Sequence, residues 1–419
     1  MLQAEARAAS KAVLQLPEFR SLLCANGLAS LAGQALAVVI GFQVYHMTKS
    51  PLALGWLGFF EALPALSLAL FGGHLADRSD RRRIVLITQS ISVLSVLGFA
   101  FLSTQGHAVA LYGLYLIIFL AGIARGFAGP ASTAFEAQVI PREVYVYASS
   151  WSSSVRQGCS IVGPVLGGIA LDRVGIRNTY LCIAGLLGFS LFCMARIAPK
   201  PVPVPEAGES IWQSIAVGVR YVLHNQIMVG SMALDLFAVL FGGAMAMLPI
   251  FATDILNVGA KGLGFLNAAP AVGALLVSLW STHHPPIRHA GRNLIFSVAG
   301  FGLAIITFAL SRNFLLSLGA LFLTGVFDGV SMVVRRSVLR LLSPENMRGR
   351  IASVSWIFIG ASNEIGAFES GFAAGLLGTV RSVWLGGVVT LIVVAVTAVA
   401  APKLRRLNLE TYAAPSAET

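Results

Sequence analysis

Several ionisable side chains stand inside long apolar stretches of this chain: Glu61, Arg125, Arg156, Asp235, Asp328, Glu364 and Glu369. A charge at the centre of a bilayer costs about 2.5–3.5 kcal/mol on insertion scales, so such residues are either paired or used. A carboxylate buried in an apolar setting without a partner resists ionisation and can trade a proton near neutral pH. Glu61 and Asp235 have no obvious partner nearby in sequence and are candidates for that exchange. Glu364 and Glu369 lie five residues apart, about 140° around a helix, and cannot both point at one substrate. The competing reading for each is a structural hydrogen bond between helices, or snorkelling to the interface. That reading leads for Glu369 and for Glu136. Phe59, Phe60, Phe237 and Phe241 are candidates to wall an apolar cavity.

The elements that must hold these residues follow from composition. Of the 419 residues only 11% are charged and 56% are hydrophobic, against about 25% charged in a typical soluble domain. Mean hydropathy is +0.80. A soluble globule, a disordered chain and a fibrous repeat are excluded together. Twelve apolar runs reach the roughly 20 residues needed to cross the hydrocarbon core: about 21–46, 51–74, 84–103, 108–131, 146–171, 178–198, 227–253, 261–281, 293–311, 314–334, 351–373 and 380–401. They are too long for strands and none alternates with period two. Residues 1–20 are mixed and partly charged. They are expected to form a short surface helix and not a cleaved signal.

Twelve spans return the chain to its starting side. Only Lys49, Arg173, Arg177, Lys261, Arg312 and Arg381 then fall opposite the termini, and Arg125 and Arg156 fall within spans; the rest of the 29 Lys and Arg stand on the side of the termini. The positive-inside rule therefore places both termini in the cytoplasm. It also accounts for the net charge of +11 without nucleic acid. Cys24, Cys159, Cys182 and Cys193 form no CxxC pair and are expected to be free, buried thiols.

The chain is a duplication. A shift of 203 residues lays Gly122 on Gly325, Gly126 on Gly329, Gly163 on Gly366, Gly168 on Gly371 and Gly175 on Gly378. Span four thus repeats as span ten, and span five as span eleven. The expected organisation is an N-terminal six-helix bundle (1–198), a Pro-rich, extended cytoplasmic linker (199–225) and a C-terminal six-helix bundle (226–419). Two parallel repeats with a site between them near the midplane are the architecture of alternating-access carriers. Arg125 and Asp328 occupy equivalent repeat positions and are candidates to face each other across the cavity, which would lower the cost of burying both.

Between spans two and three lies Gly73-His74-Leu75-Ala76-Asp77-Arg78-Ser79-Asp80-Arg81-Arg82-Arg83. This resembles the signature loop of the major facilitator superfamily, with Asp80 where the family has a second glycine. The Asp-Arg-Arg-Arg form resembles the enterobactin and macrolide exporter branch. Arg125 in Gly122-Ile123-Ala124-Arg125-Gly126 looks like the family's second motif. Gly158, Gly163, Pro164, Gly167 and Gly168 match the Gly-x4-Gly-Pro-x2-Gly-Gly pattern of its drug/proton antiporters. In such a pattern the glycines permit close helix approach and the proline supplies a hinge. The resemblance implies that Gly73, Asp77, Arg78, Arg81 and Arg82 form a cytoplasmic gating loop, Asp77 facing the N-terminus of span eleven. The corresponding loop of the second half, with His283, His284 and His289, has no carboxylate or cysteine and is expected to be a basic loop and not a metal site.

The expected fold is therefore an all-α membrane protein of twelve transmembrane helices in two pseudo-symmetric bundles. The expected function is secondary transport: a monomeric, proton-coupled exporter of an amphipathic small molecule, a siderophore or drug, in the plasma membrane. Substrate and proton coupling are assigned to Glu61, Arg125, Arg156, Asp235, Asp328 and Glu364. An importer of a small nutrient and a transport-inactive sensor or assembly partner are the alternatives. No clustered metal set, G-x-S-x-G or phosphate loop is present, so neither enzyme activity nor a cofactor is expected.

Overall fold

In the computed structural model the described residues are 13–202, 211–284, 286, 288–344 and 347–413. They hold twelve long helices: α1 Pro17–Thr48, α2 Pro51–Arg78, α3 Arg81–Leu102, α4 His107–Val139, α5 (145–174), α6 (176–195), α7 Gln226–Ile255, α8 Gly259–Ser281, α9 Ala290–Leu310, α10 Phe314–Leu342, α11 Arg348–Leu377 and α12 Thr379–Ala400. No strand occurs among the described residues. Each apolar run read from the sequence lies on one of these helices. Several helices extend a turn or more beyond their runs, because polar flanks continue the backbone hydrogen bonding past the hydrocarbon core.

Helix ends are set by local chemistry. α1 stops at Lys49, whose left-handed backbone (φ 50°) turns its N–H onto the Tyr45 carbonyl, and Pro51 starts α2. Asn225 accepts from the N–H groups of Ile227 and Met228 to cap α7, and Asn313 does the same for Leu315 and Leu316 in α10. α5 runs into α6 through Gly175 (φ 78°), and α11 into α12 through Gly378 (φ 86°). Both need the left-handed region that glycine enters without steric cost, so these repeat partners mark the same turn in each half.

The chain forms two compact units. The first holds Met1–Lys49, Phe59–Glu206 and Gly259–Ala268; the second holds Ser50–Gly58, Ala207–Val258 and Ala269–Thr419. In the first, Phe19, Leu22, Phe135, Met194 and Ile197 are almost fully buried in one core. Buried Ser190 donates to the Ala25 carbonyl at 2.7 Å and Tyr180 to Gln43 Oε1 at 2.5 Å, tying α6 to α1. In the second, Met228, Leu234, Leu294, Val338 and Leu404 are among the most buried members of the core.

The join between the halves differs from the extended linker expected. Ile211–His224 is helical. Its Tyr221 hydroxyl donates to the Leu342 carbonyl at 3.1 Å, and Val222 is buried in the second core. Burying that apolar face stabilises the helix where sequence polarity suggested a tether. Residues 203–210 of the join, and residues 1–12 of the expected surface helix, lie outside the described residues. The cysteines are free as expected, but Cys24 and Cys182 are exposed instead of buried. They point away from the core, where the surrounding medium is itself apolar.

Candidate transport site

The repeated glycines position the helices that carry the charges. A methyl group added to Gly122 would sit 2.6 Å from the Glu61 carbonyl oxygen and 2.7 Å from Pro64 Cγ; at Gly126 it would meet Leu68 Cβ at 2.9 Å. α4 thus lies directly on α2. In the second half a methyl at Gly325 would collide with the backbone of Pro270, and one at Gly329 would meet Val277 Cβ at 3.1 Å. α10 lies on α8 in the same way. Gly163 packs on Gln34 of α1, and Gly366 on Leu240 of α7. Gly168 packs on the opening turns of α8, where an added methyl would lie 3.0 Å from Gly264 Cα within the first unit. Gly371 packs on the opening turns of α2, where an added methyl would lie 2.5 Å from Gly55 Cα within the second. The aligned glycines are therefore matched helix crossings, each closed at backbone distance.

Of the Gly-Pro pattern on α5, Gly163, Pro164, Gly167 and Gly168 are buried, and a methyl added to Gly167 would lie 2.8 Å from Ala35 Cα. Gly158 has no atom within 4 Å of an added methyl and takes no part in the crossing.

These crossings bring the charges together in a pattern the sequence reading missed. Arg125 on α4 pairs with Glu61 on α2 in the first unit. Asp328 on α10 pairs with Arg335 on the same helix at 3.3 Å. The expected Arg125–Asp328 pair is thus replaced by a separate pair for each, and Glu61 and Asp235 both have partners. The Gly122 crossing places the α2 carboxylate beside the α4 guanidinium, a proximity that sequence separation hides. In the first unit Arg156 also approaches Glu136 at 4.0 Å. Arg125, Arg156, Glu136, Asn26 and Ser92 line a polar cavity of about 290 Å³.

The second unit holds a more enclosed cluster. Asp235 on α7, only 6% exposed, is ion-paired with Arg335. Arg335 Nε donates to Ser331 Oγ at 3.2 Å and the same guanidinium reaches Asp328. Residues 328, 331 and 335 are spaced to share one face of α10. Two carboxylates therefore share one guanidinium, leaving one negative charge in excess. Asp235, Asp328 and Ser331, with Ser297, Thr324 and Asn363, line a largely apolar cavity of about 350 Å³ whose aromatic walls are Phe301 of α9 and Phe327 of α10. Phe237 and Phe241, expected as walls, stack on each other with centroids 6.2 Å apart. Phe60 packs on Tyr115.

Arg335 belongs to this cluster, although its place in the sequence beside Arg336 counts it with the charges on the side of the termini. Its side chain is only 11% exposed. Its spacing of seven from Asp328, two helical turns, is the signal that identifies it. Glu369 accepts from its neighbour Ser370 on the same helix at 3.4 Å. Glu364 lies on α11, and its side chain is outside the described residues.

In the loop after α2, Asp80 caps α3 by accepting from the Arg83 N–H, with φ −64°. The turn therefore needs no glycine there. Arg81 donates to the Ala76 carbonyl, and Arg82 donates to those of Ile197 and Ala195 at 2.7 and 2.6 Å, closing the end of α6. Asp77 pairs with Arg81 at 3.4 Å and its side chain is 72% exposed. Arg78 is exposed, and Gly73 has open space around it.

A bundle of this topology with buried charge clusters is that of a secondary transporter, and comparison with known proteins agrees. The profile of the Major Facilitator Superfamily matches residues 22–288, and the chain belongs to that family. It is 25% identical over 393 residues to the enterobactin exporter EntS of Shigella boydii serotype 18, covering 94% of each chain. The exporter of the same name from Escherichia coli O1:K1 / APEC is similar to the same extent. In fold the chain is similar to a crystal structure of a POT family transporter in complex with 5-aminolevulinic acid (TM-score 0.72, 12% identity, 92% of this chain and 96% of that one). It is also similar to a bacterial homolog of the human lysosomal transporter Spinster (TM-score 0.69, 14% identity, 95% and 98%). The protein is a multi-pass, non-enzymatic membrane transporter of a small molecule.

Proposed function

We propose that this transporter is an exporter that couples proton entry to the release of an amphipathic small molecule, with a siderophore of the enterobactin type as first candidate. The observation that carries the reading is the Asp235–Arg335–Asp328 cluster on an aromatic-walled cavity. One guanidinium neutralises one carboxylate. The excess charge is expensive in an apolar surround, so the cluster favours taking up either a proton or a hydrogen-bond donor group of a cargo. Competition between the two for one carboxylate is the exchange that antiport requires. The Glu61–Arg125 pair and Arg156 supply polar anchoring in the first unit, and Phe301 and Phe327 accommodate an apolar cargo body.

Export, as against import, is supported by the buried Gly-Pro face of α5 and by the curated relatives' printed function. The bundles 1–198 and 226–419 are the two repeats that alternating access would require. Monomeric action in the bacterial inner membrane with both termini cytoplasmic completes the reading. The test is proton efflux from everted vesicles on adding enterobactin. Dequenching of a pH-sensitive dye is expected with the parent chain and not with empty vesicles. Enterobactin movement that proceeds identically after the proton gradient is collapsed would overturn the coupling.

A further inference from the structure

A second charged pocket lies apart from the transport clusters, where α9 begins and α12 ends. Gly291 opens α9 against the backbone of Leu404, and its N–H donates to the Leu407 carbonyl at 3.2 Å, so the segment after α12 is strapped onto the start of α9. Leu404, Leu407 and Leu409 of this strap are buried. The fold leaves a cavity of about 440 Å³ lined by His289, Arg292, Arg405, Arg406 and Asn408 at its polar end.

The corresponding place in the first half shows what is unusual. There, at the start of α3, Arg81 and Arg82 are used on carbonyl oxygens, the latter closing the end of α6, and Arg83 pairs with Asp80 at 3.2 Å. In the second half the end of α12 is covered by its own continuation, Pro402–Arg405. Arg292, Arg405 and Arg406 are exposed and, among the described residues, have no carboxylate or carbonyl partner. Three guanidiniums converge on space that no protein acceptor fills. The remaining lining, Ile295, Phe296 and Ala398, is apolar, and Phe296 is 65% exposed on the outer face of α9. A basic end joined to an apolar wall at the margin of the hydrocarbon core matches a phosphate on an acyl chain.

We infer that Arg292, Arg405 and Arg406, with His289 and Asn408, form a binding site for the headgroup of an anionic phospholipid on the side of the membrane that carries both termini. Its occupant ties the strap after α12 to α9, which would make lipid composition a determinant of how firmly the outer helices of this half are held.

The test is native mass spectrometry of the full-length protein in detergent, titrated with dioleoylphosphatidylglycerol or dioleoylphosphatidylcholine. Tight adducts with the first and few with the second are expected. Arg292→Gln/Arg405→Gln/Arg406→Gln should weaken phosphatidylglycerol binding about tenfold or more. The triple Lys variant should keep most of it, and Lys403→Gln, beside the pocket, should leave it unchanged. If the triple Gln variant does not fold, Arg406→Gln alone with the same titration decides. Equal binding by parent and Gln variants, an equal loss in Lys403→Gln, or full competition by millimolar inorganic phosphate would overturn the site; the last would make it a free-phosphate site.

Discussion

The most exacting test of the coupling cluster is Asp235→Asn. Asparagine keeps the shape and one hydrogen-bond acceptor but cannot gain or lose a proton. Removing one member of a buried ion pair costs about 3–5 kcal/mol when the other charge is left uncompensated. Here it is not, because Arg335 retains Asp328 at 3.3 Å. The loss reduces to a hydrogen bond to a charged group, about 1.5–3 kcal/mol. Arg335→Gln leaves two carboxylates facing each other and takes the full 3–5 kcal/mol. Thermal unfolding in detergent should therefore rank parent, then Asp235→Asn, then Arg335→Gln. Transport should separate differently. Exchange of labelled cargo across vesicles preloaded with cargo needs no net proton movement and should persist in Asp235→Asn. Uphill accumulation driven by a pH gradient should fall to the level seen without a gradient. If Asp235→Asn and Asp328→Asn both accumulate cargo as the parent does, the excess charge of this cluster is not where the proton binds, and the coupling argument fails.

Other expectations follow from the same geometry. Gly163→Ala, 2.6 Å from Gln34 Cβ and 3.0 Å from the Leu31 carbonyl, should lose about 1–3 kcal/mol through overpacking, while Gly158→Ala in the same motif should be neutral or slightly stabilising; equal melting shifts would contradict the crossing. Arg82→Ala removes two hydrogen bonds to the end of α6 from a half-buried site and should cost about 1–3 kcal/mol, read as a lower melting temperature. Glu61→Arg and Arg125→Glu should each impair transport, and the double swap should recover part of it, since the pair rather than either sign holds α2 to α4; a double variant worse than both singles would count against pairing.

Legibility in the sequence tracked the range of the interaction. The spans and most of their limits were readable because hydropathy is a property of consecutive residues. The duplication was readable because glycines at close crossings tolerate no side chain, and the left-handed turns at Gly175 and Gly378 recur for the same reason. The join misled because a polar, Pro-rich start masked the helix Ile211–His224, whose stability comes from Val222 packing on a distant core. Arg335 misled because adjacent arginines near a span end resemble an interfacial anchor; only its spacing from Asp328 argued otherwise.

The sequence alone determined that this chain crosses a membrane twelve times, that it is built from two repeats, and most of the ionisable residues that lie within the spans. Each of these rests on composition, period or spacing along the chain. Which charge meets which was decided by the tertiary structure. Glu61 with Arg125, and Asp235 with Arg335 and Asp328, are set by the angle and closeness at which α2 lies on α4 and α7 approaches α10. Ion pairing acts over a few ångströms in space, and residues 64 or 100 positions apart reach that range only when the helices between them have packed.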